Sequence, residues 1–351
     1  MPQSAAAPGR QPTLADVAAL AGVSDMTVSN VINRPHVVAP ATQARVRAAM
    51  KELNYRNNIA ARSLRLATPR HIAYAMTHSY RASDQYMSEF LHDLAVACQP
   101  VSRNLTLVAG PTDRSDLDQC EDLYFGGSAS GVIISNVDPD DPRPRELMRR
   151  GIPFVAYGQT LEGADVPWSW VDGDAALGAA LAVDHVVAQG HRRLALLRPS
   201  DEGVVALDAM ESGYRAACIR HGLAASVGVE RVVRTANEPG AGSEAAERLL
   251  VGADPPTAII CLSDTLATGV VMALRDLGLD PGTEVAVTGF SDTPQASLGP
   301  VGITSIRQPS PEIAAELVKI VVENPDVPRH VLLEPTLVIR ASSARVPDGS
   351  R

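Results

Sequence analysis

Thr13 to Asn33 reads TLADVAALAGVSDMTVSNVIN, and the organisation of the chain follows from it. Leu14, Val17, Ala18 and Ala21 recur at i, i+3, i+4 and i+7, the apolar stripe of a short amphipathic helix. Thr13, just before the stripe, has the side chain of an N-cap. Gly22 ends the helix, because glycine accepts the left-handed conformation that a helix C-terminus needs. Val23 follows as an apolar anchor. Ser24 can cap a second helix, on which Val28, Val31 and Ile32 again lie on one side. The opposite face carries Asp25, Met26, Ser29, Asn30 and Asn33. Two short helices joined by a tight glycine-containing turn form a helix-turn-helix, whose second helix enters the major groove of DNA. Two ordinary helices of a small bundle would carry the same stripes, so the flanking sequence decides.

Val37-Val38-Ala39-Pro40 leads into a third helix, with Pro40 suited to its first position and Val46, Ala49, Met50 and Leu53 as its stripe. Then comes Asn54-Tyr55-Arg56-Asn57-Asn58-Ile59-Ala60-Ala61-Arg62-Ser63-Leu64-Arg65. Taken together, these motifs resemble the lactose-repressor (LacI/GalR) family of bacterial transcription regulators. The string is long, and its spacing is specific.

The chain has 351 residues, enough for two or three domains. At 45% hydrophobic and 20% charged it can bury sizeable cores. The net charge of −9 argues by itself against DNA binding, but its distribution does not. Residues 10 to 70 hold nine basic and three acidic side chains, a charge of +6, which leaves −15 on the rest. A basic head on an acidic body is the asymmetry of a nucleic-acid binder with a separate second domain. Cysteines 98, 120, 218 and 261 show no paired spacing and read as reduced thiols. No apolar run reaches the roughly 18 residues of a membrane span, and the first twelve residues lack a signal peptide's apolar core. The expectation is a cytoplasmic protein with a disordered tail over 1–12.

A helix-turn-helix headpiece is expected over 13–56 and a hinge over 57–70. Ala60 to Leu64 has helical propensity but almost no apolar face, and so short a helix is marginal alone in water. The resemblance implies that paired hinge helices enter the minor groove, with Leu64 as an apolar wedge that kinks the duplex. A linker leucine packed on the core is the plainer alternative. The family usually has proline where Asn57 stands, a departure that loosens the start of this helix.

From His71 onward, short β-rich runs alternate with helical stretches. The runs are 72–76, 105–109, 132–135, 154–157, 194–197, 258–262 and 285–289; the helical stretches include 86–98, 174–189, 207–221, 243–251, 264–277 and 311–323. Such alternation implies an α/β fold with parallel sheets covered on both faces. About seven strands exceed one small sheet, so two α/β subdomains are expected, with a ligand site outside the carboxyl ends of the strands. Val171-Asp172-Gly173-Asp174, Gly190 to Ala195, Val287-Thr288-Gly289-Phe290 and Ile303 to Pro309 extend the resemblance to the family's periplasmic-binding-protein-like effector domain, over 71–351. The implied N-subdomain is about 71–168 plus 307–325, and the C-subdomain about 169–306 plus 326–342.

By the resemblance, the base-facing positions are Asp25, Met26 and Asn30. Asn30 can pair with adenine, Met26 can touch a thymine methyl, and Asp25, an acceptor only, suits cytosine N4. Thr13, Ser24, Thr27, Ser29 and Asn33 match positions that hold phosphates, which set register. Tyr55 and Asn58 belong to the same DNA-binding set, Tyr55 being equally readable as a core aromatic. Effector positions correspond to Tyr86, Met87, Asn136, Met210, Asn237, Ser263, Asp264 and Ser291. The family very often has arginine where Met210 stands and aspartate where Ser291 stands, so two charged ligand anchors are missing. Asp264 is readable either as a ligand contact or as a helix N-cap.

Gly126 to Gly131 is glycine-rich but precedes a strand, so it is no dinucleotide fingerprint. Asp138-Pro139-Asp140-Asp141-Pro142 lacks the spacing of a calcium loop and reads as a solvated turn. The expectation is therefore no enzyme, no metal and no cofactor. It is a homodimeric regulator, with a tetramer also open, most readily a repressor, that binds double-stranded operator DNA under control of a sugar, glycoside or nucleoside effector. A solute-binding protein and an α/β enzyme acting on a sugar or nucleoside are the rivals.

Overall fold

The structure, a computed structural model, describes residues 12–55, 69–76, 85–109, 113–137, 140–159, 166–201, 204–228, 231–298 and 301–343. The chain divides between residues 68 and 69 into two compact units.

The first unit holds α1 (Leu14–Ala21), α2 (Asp25–Asn33) and α3 (Pro40–Glu52). Thr13 and Asp16 form a capping box. The Asp16 N–H donates to Thr13 Oγ1 at 3.3 Å and the Thr13 N–H donates to Asp16 Oδ2 at 2.7 Å. Gly22 takes φ +63°, and the Val23 N–H reaches back to the Ala18 carbonyl at 3.0 Å, which ends α1 and turns the chain. Ser24 caps α2, accepting from the Thr27 N–H at 3.2 Å. Gln43 closes the turn before α3 by donating to the carbonyls of Pro35 and Val38. Val17, Ala18, Ala21, Val28, Val31, Val46 and Ala49 are buried together, and Leu14, Val23, Ile32, Met50, Leu53 and Tyr55 pack around them. Both stripes read from the sequence thus face one small core. Beyond α3, Asn54 adopts φ +49° and the Tyr55 N–H bonds the Met50 carbonyl at 2.8 Å, which lays Tyr55 on that core. Residues 57–68 of the hinge, with Asn58 and Leu64, lie outside the described residues.

The second unit begins with β1 (His71–Ala75), α4 (Gln85–Cys98), β2 (Asn104–Val108), α5 (Asp113–Phe125), β3 (Ala129–Ser135), α6 (Arg143–Arg149), β4 (Phe154–Tyr157) and β5 (Trp170–Gly173). It continues with α7 (Ala175–Ala188), β6 (Leu194–Pro199), α8 (Val205–Arg220), β7 (Val232–Thr235), α9 (Pro239–Leu250), β8 (Ala258–Cys261), α10 (Asp264–Asp276), β9 (Ala286–Phe290) and α11 (Pro294–Ser297). It ends with β10 (Thr304–Arg307), α12 (Ser310–Glu323), β11 (His330–Leu333) and β12 (Thr336–Val338). The strands form two six-stranded sheets, in the orders β11-β5-β4-β3-β1-β2 and β12-β10-β9-β8-β6-β7. All named pairs are parallel except β10–β12, an antiparallel edge.

Alternation within each strand fills both faces of each sheet. In the first sheet Ile72, Tyr74, Ile133 and Val155 pack under α4 and α12, while Ala73, Ala75, Val132 and Ile134 face α5 and Leu147 of α6. In the second, Leu194, Leu196 and Ile260 face α7 and α8, while Leu197, Ile259 and Val287 face α9 and α10.

Two expectations need correction. Five strands beyond the seven apolar runs are present, β5, β7, β10, β11 and β12. Each is three or four residues long, and the β11 and β12 side chains are at most half-buried, so none makes a readable apolar run. The subdomain borders also move. β5 pairs with β4, so the chain leaves the first subdomain after Gly173 and not near 168. β11 pairs with β5, so the final crossing lies between Leu333 and Thr336 and not near 325. Both shifts come from strand pairing, which no local pattern encodes.

Candidate functional site

On the first unit, Ser24 places Asp25 at the first position of α2 and leaves one face of that helix free of the core. Met26 is 71% exposed, unusual for a large apolar side chain on a small helical unit. Asp25 is exposed beside it, Thr27, Ser29 and Asn30 are half-buried, and Asn33 ends the helix. The Thr13 hydroxyl is bonded to Asp16, and the Ser24 hydroxyl lies 2.9 Å from Thr27 Oγ1. Both hydroxyls cap helices, whatever else they touch. Tyr55 is half-buried against the three helices.

On the second unit, the expected effector residues follow the carboxyl ends of parallel strands. Tyr86 and Met87 open α4 after β1, and Asn136 follows β3 with φ +50°. Met210 lies on α8 after β6, Asn237 follows β7, Ser263 follows β8, and Ser291 follows β9 with φ +97°. Strand ends are where open α/β sheets bind ligands.

The first-sheet residues form one connected group. The hydroxyls of Tyr86 and Tyr157 are 2.6 Å apart. Phe90 stacks on Tyr157 with centroids 4.1 Å apart and on Tyr86 at 6.3 Å, while Tyr74 meets Phe90 edge-on. The Tyr74 hydroxyl lies 3.0 Å from Ser135 Oγ and 3.6 Å from Met87 Sδ, which joins Met87 to the strand end before Asn136. Asp172 accepts from the N–H groups of Gln159 and Gly173, yet desolvation pushes its carboxyl up to about 6. Desolvation, then the neighbouring Tyr86 and Asp172, also raise the Tyr157 phenol. Tyr157 and Asp172 were not legible as site residues, since the four-residue strands that carry them show nothing of which groups meet at their ends.

In the second-sheet group, Ser263 both caps α10, accepting from the Leu266 N–H, and donates to Asn237 Oδ1 at 2.7 Å. Ser263, not Asp264, is therefore the N-cap. Asp264 is 2% exposed and accepts from Ser305 Oγ at 2.6 Å and from the N–H and hydroxyl of Thr293 at 2.7 and 2.9 Å. Burial outweighs those bonds and raises its carboxyl to about 6. Ser291 donates its N–H to the Ile306 carbonyl. Asp292 pairs with Arg307 and Arg340, and Arg215 pairs with Glu211. Neither is free to stand in for the missing arginine and aspartate. Met210 packs in the core with Tyr214 and Leu207. The carboxyl of Glu89 on α4 is raised by burial, then by Asp93 and Asp292, so the first-sheet group and the loop after β9 lie within electrostatic reach. The arrangement offers aromatic faces, hydroxyls and amides, with Asp264, Asp292 and Arg215 engaged inside the protein.

Residues 13–58 match the bacterial regulatory proteins of the lacI family, and residues 183–343 match the periplasmic binding protein-like domain. The chain is 30% identical to the HTH-type transcriptional regulator CelR of Thermobifida fusca over 343 residues, covering 95% of this chain and 98% of that protein. It is 31% identical over 332 residues to the ribose operon repressor of Escherichia coli strain K12, covering 93% and 94%. The solved complex of the regulator CelR with cellobiose aligns with a TM-score of 0.68 at 27% identity, over 94% of this chain and 99% of that one. With headpiece, body and full-length relatives in agreement, the chain belongs to the lacI family of bacterial transcriptional regulators.

Proposed function

We propose that the protein is a repressor whose hold on operator DNA is set by a ring-bearing effector, a glycoside or a nucleoside, in the strand-end cleft. One observation carries the reading: Tyr86, Asn136, Asn237, Ser263 and Ser291 follow strand ends and offer an aromatic face, hydroxyls and amides, while Asp172 and Asp264 are bonded to the protein's own N–H and hydroxyl groups. A free hexose offers little apolar surface and depends on hydrogen bonds, of which those to charged groups are the strongest. A ligand with a second ring gains from stacking on Tyr86, which Phe90 backs from within the core. The cellobiose held by the similar CelR protein is a ligand of this kind.

The headpiece residues Thr13, Ser24, Asp25, Met26, Thr27, Ser29, Asn30, Asn33, Tyr55, Asn58 and Leu64 form the DNA side of this proposal. It includes a homodimer with two recognition helices, working in the cytoplasm where its DNA is. Ser263 and Ser305 donate to Asn237 and Asp264 and not to a histidine base, which supports a non-enzymatic reading. A thermal-shift series over cellobiose, aryl glycosides, nucleosides and free hexoses tests the effector class, since a ligand of the native state raises apparent stability by mass action. Stabilisation by a glycoside or nucleoside, with free hexoses bound no tighter than about millimolar, is the expected result. A free hexose bound at micromolar affinity would contradict it.

A further inference from the structure

The strands β4, β5 and β11 are parallel neighbours, so their amino ends lie together at one end of the first sheet. Tyr157 closes β4 at the carboxyl end, with the effector positions; Phe154 opens it at the amino end. Around Phe154 the protein holds an open cavity of about 280 Å³. Pro153 and Phe154 enter it from β4, Trp168 from the segment before β5, and Pro325 and Pro328 from the segment between α12 and β11.

The cavity is built from fixed parts. Asn324 takes φ +45° and ends α12, its N–H bonding the Ile320 carbonyl. Pro325 and Pro328 follow, and a proline ring holds its own φ. The Arg329 N–H donates to Ser169 Oγ at 3.0 Å, and His330 Nε2 lies 3.0 Å from the Trp168 carbonyl oxygen. These bonds join the segment after α12 to the segment before β5. His330 also stacks on Trp170, with centroids 5.3 Å apart. A pre-formed concave site of this kind is what small ligands use. The volume is just under the range of about 300–1,000 Å³ for drug-sized ligands, so it suits a single ring.

The lining carries one charged residue, Asp326. Asp326 is exposed, and no hydrogen bond or ion pair engages it among the described residues. The arginines of the neighbouring segments are already held, Arg149 and Arg150 by Glu146 and Arg329 by Glu323. A ligand here therefore meets apolar rings and one uncompensated carboxylate. A metal ion has no use for the rings, and a neutral ring leaves the carboxylate idle. A ring bearing an ammonium group uses both, burying its carbon against Phe154, Trp168 and the prolines and donating charge-assisted bonds to Asp326.

We propose that this cavity is a second ligand site, for a small organic amine that carries one apolar ring. It lies at the other end of the sheet from the effector positions and does not depend on the effector reading. The chain has two tryptophans, Trp168 in the cavity wall and Trp170 two residues on, so intrinsic fluorescence of the full-length protein reports this site. The test is a fluorescence titration at constant ionic strength with benzylamine, with benzyl alcohol as the uncharged ring, and with methylammonium as the charge without a ring. Benzylamine is expected to give a saturating change and to bind about fivefold more tightly than benzyl alcohol, the scale of one exposed ion pair. Methylammonium should bind more weakly than either. Asp326→Asn, at an exposed position, should remove the preference for the amine. Asp326→Lys should transfer the preference to benzoate. No saturable change with benzylamine, equal affinity for benzylamine and benzyl alcohol, or a preference unaltered in both variants would overturn the proposal.

Discussion

Asp264 and Ser305 are tied by a 2.6 Å hydrogen bond that joins the first residue of α10 to the second residue of β10. The same Ser305 hydroxyl accepts from the Asp292 N–H at 3.0 Å, so one serine couples a buried carboxylate to the loop carrying Ser291. Two residues past Ser305 the chain crosses back to the first subdomain. Asp264 thus acts as a positioning group: it fixes the floor on which Ser263 and Ser291 stand and has little capacity left for a ligand.

That burial makes stability depend on pH. The Asp264 carboxyl sits at about 6 in the folded protein, against about 4 in an unfolded chain. The folded state therefore holds its proton more readily. The stabilisation this gives is complete below about pH 4 and fades as pH rises through about 6. Between pH 7 and pH 5 the wild type should gain about 1 kcal/mol relative to Asp264→Asn, whose amide does not titrate. Urea unfolding at the two pH values measures this, and parallel curves for the two proteins would contradict it.

Gly213 brings α8 against the backbone of α7, where an added Cβ would meet the Ala176 carbonyl. Gly213→Ala should therefore cost about 1–3 kcal/mol, as overpacking does. The loss should appear in thermal unfolding of the second unit. An unchanged melting temperature would show that α7 and α8 separate freely.

Met210 has a mixed role. It is packed in the core, yet it stands where much of the family has arginine. Met210→Arg should change ligand preference towards free sugars and also cost stability, because a guanidinium at a core position must be desolvated or reach out to water. DNA binding without ligand should persist, and a gel shift beside a ligand titration separates the two effects.

The headpiece was legible almost residue by residue, because its helices are short, amphipathic and bounded by Thr13, Gly22, Ser24 and Pro40, each with a local physical reason. The inner strands were legible too, since burial on both faces makes continuous apolar runs such as 194–197 and 258–262. What escaped was pairing at a distance. β5 and β11 have neither length nor apolarity to announce them, and only their partners place them. The same holds for the site: Tyr86 was found through a motif, but its partner Tyr157 lies 71 positions away on another strand. The capping role moved from Asp264 to Ser263 because the two are adjacent and both have oxygens that can cap.

At the DNA face, Asp25 should read one base while repelling the backbone. Asp25→Ala is expected to relax preference at one position per half-site by about 1–3 kcal/mol. It should also raise affinity for non-specific DNA, with one negative charge removed from the phosphates. Higher affinity with every base preference intact would reduce Asp25 to a charge favourable at a helix start.

The central claim is that this chain recognises a specific DNA sequence as a symmetric pair. Selection from randomised duplexes by the full-length protein, at fixed salt, tests it most directly. The expected result is enrichment of one pseudo-palindrome, because two identical recognition helices read two half-sites about a two-fold axis. Binding that weakens with salt but enriches no sequence would contradict the account.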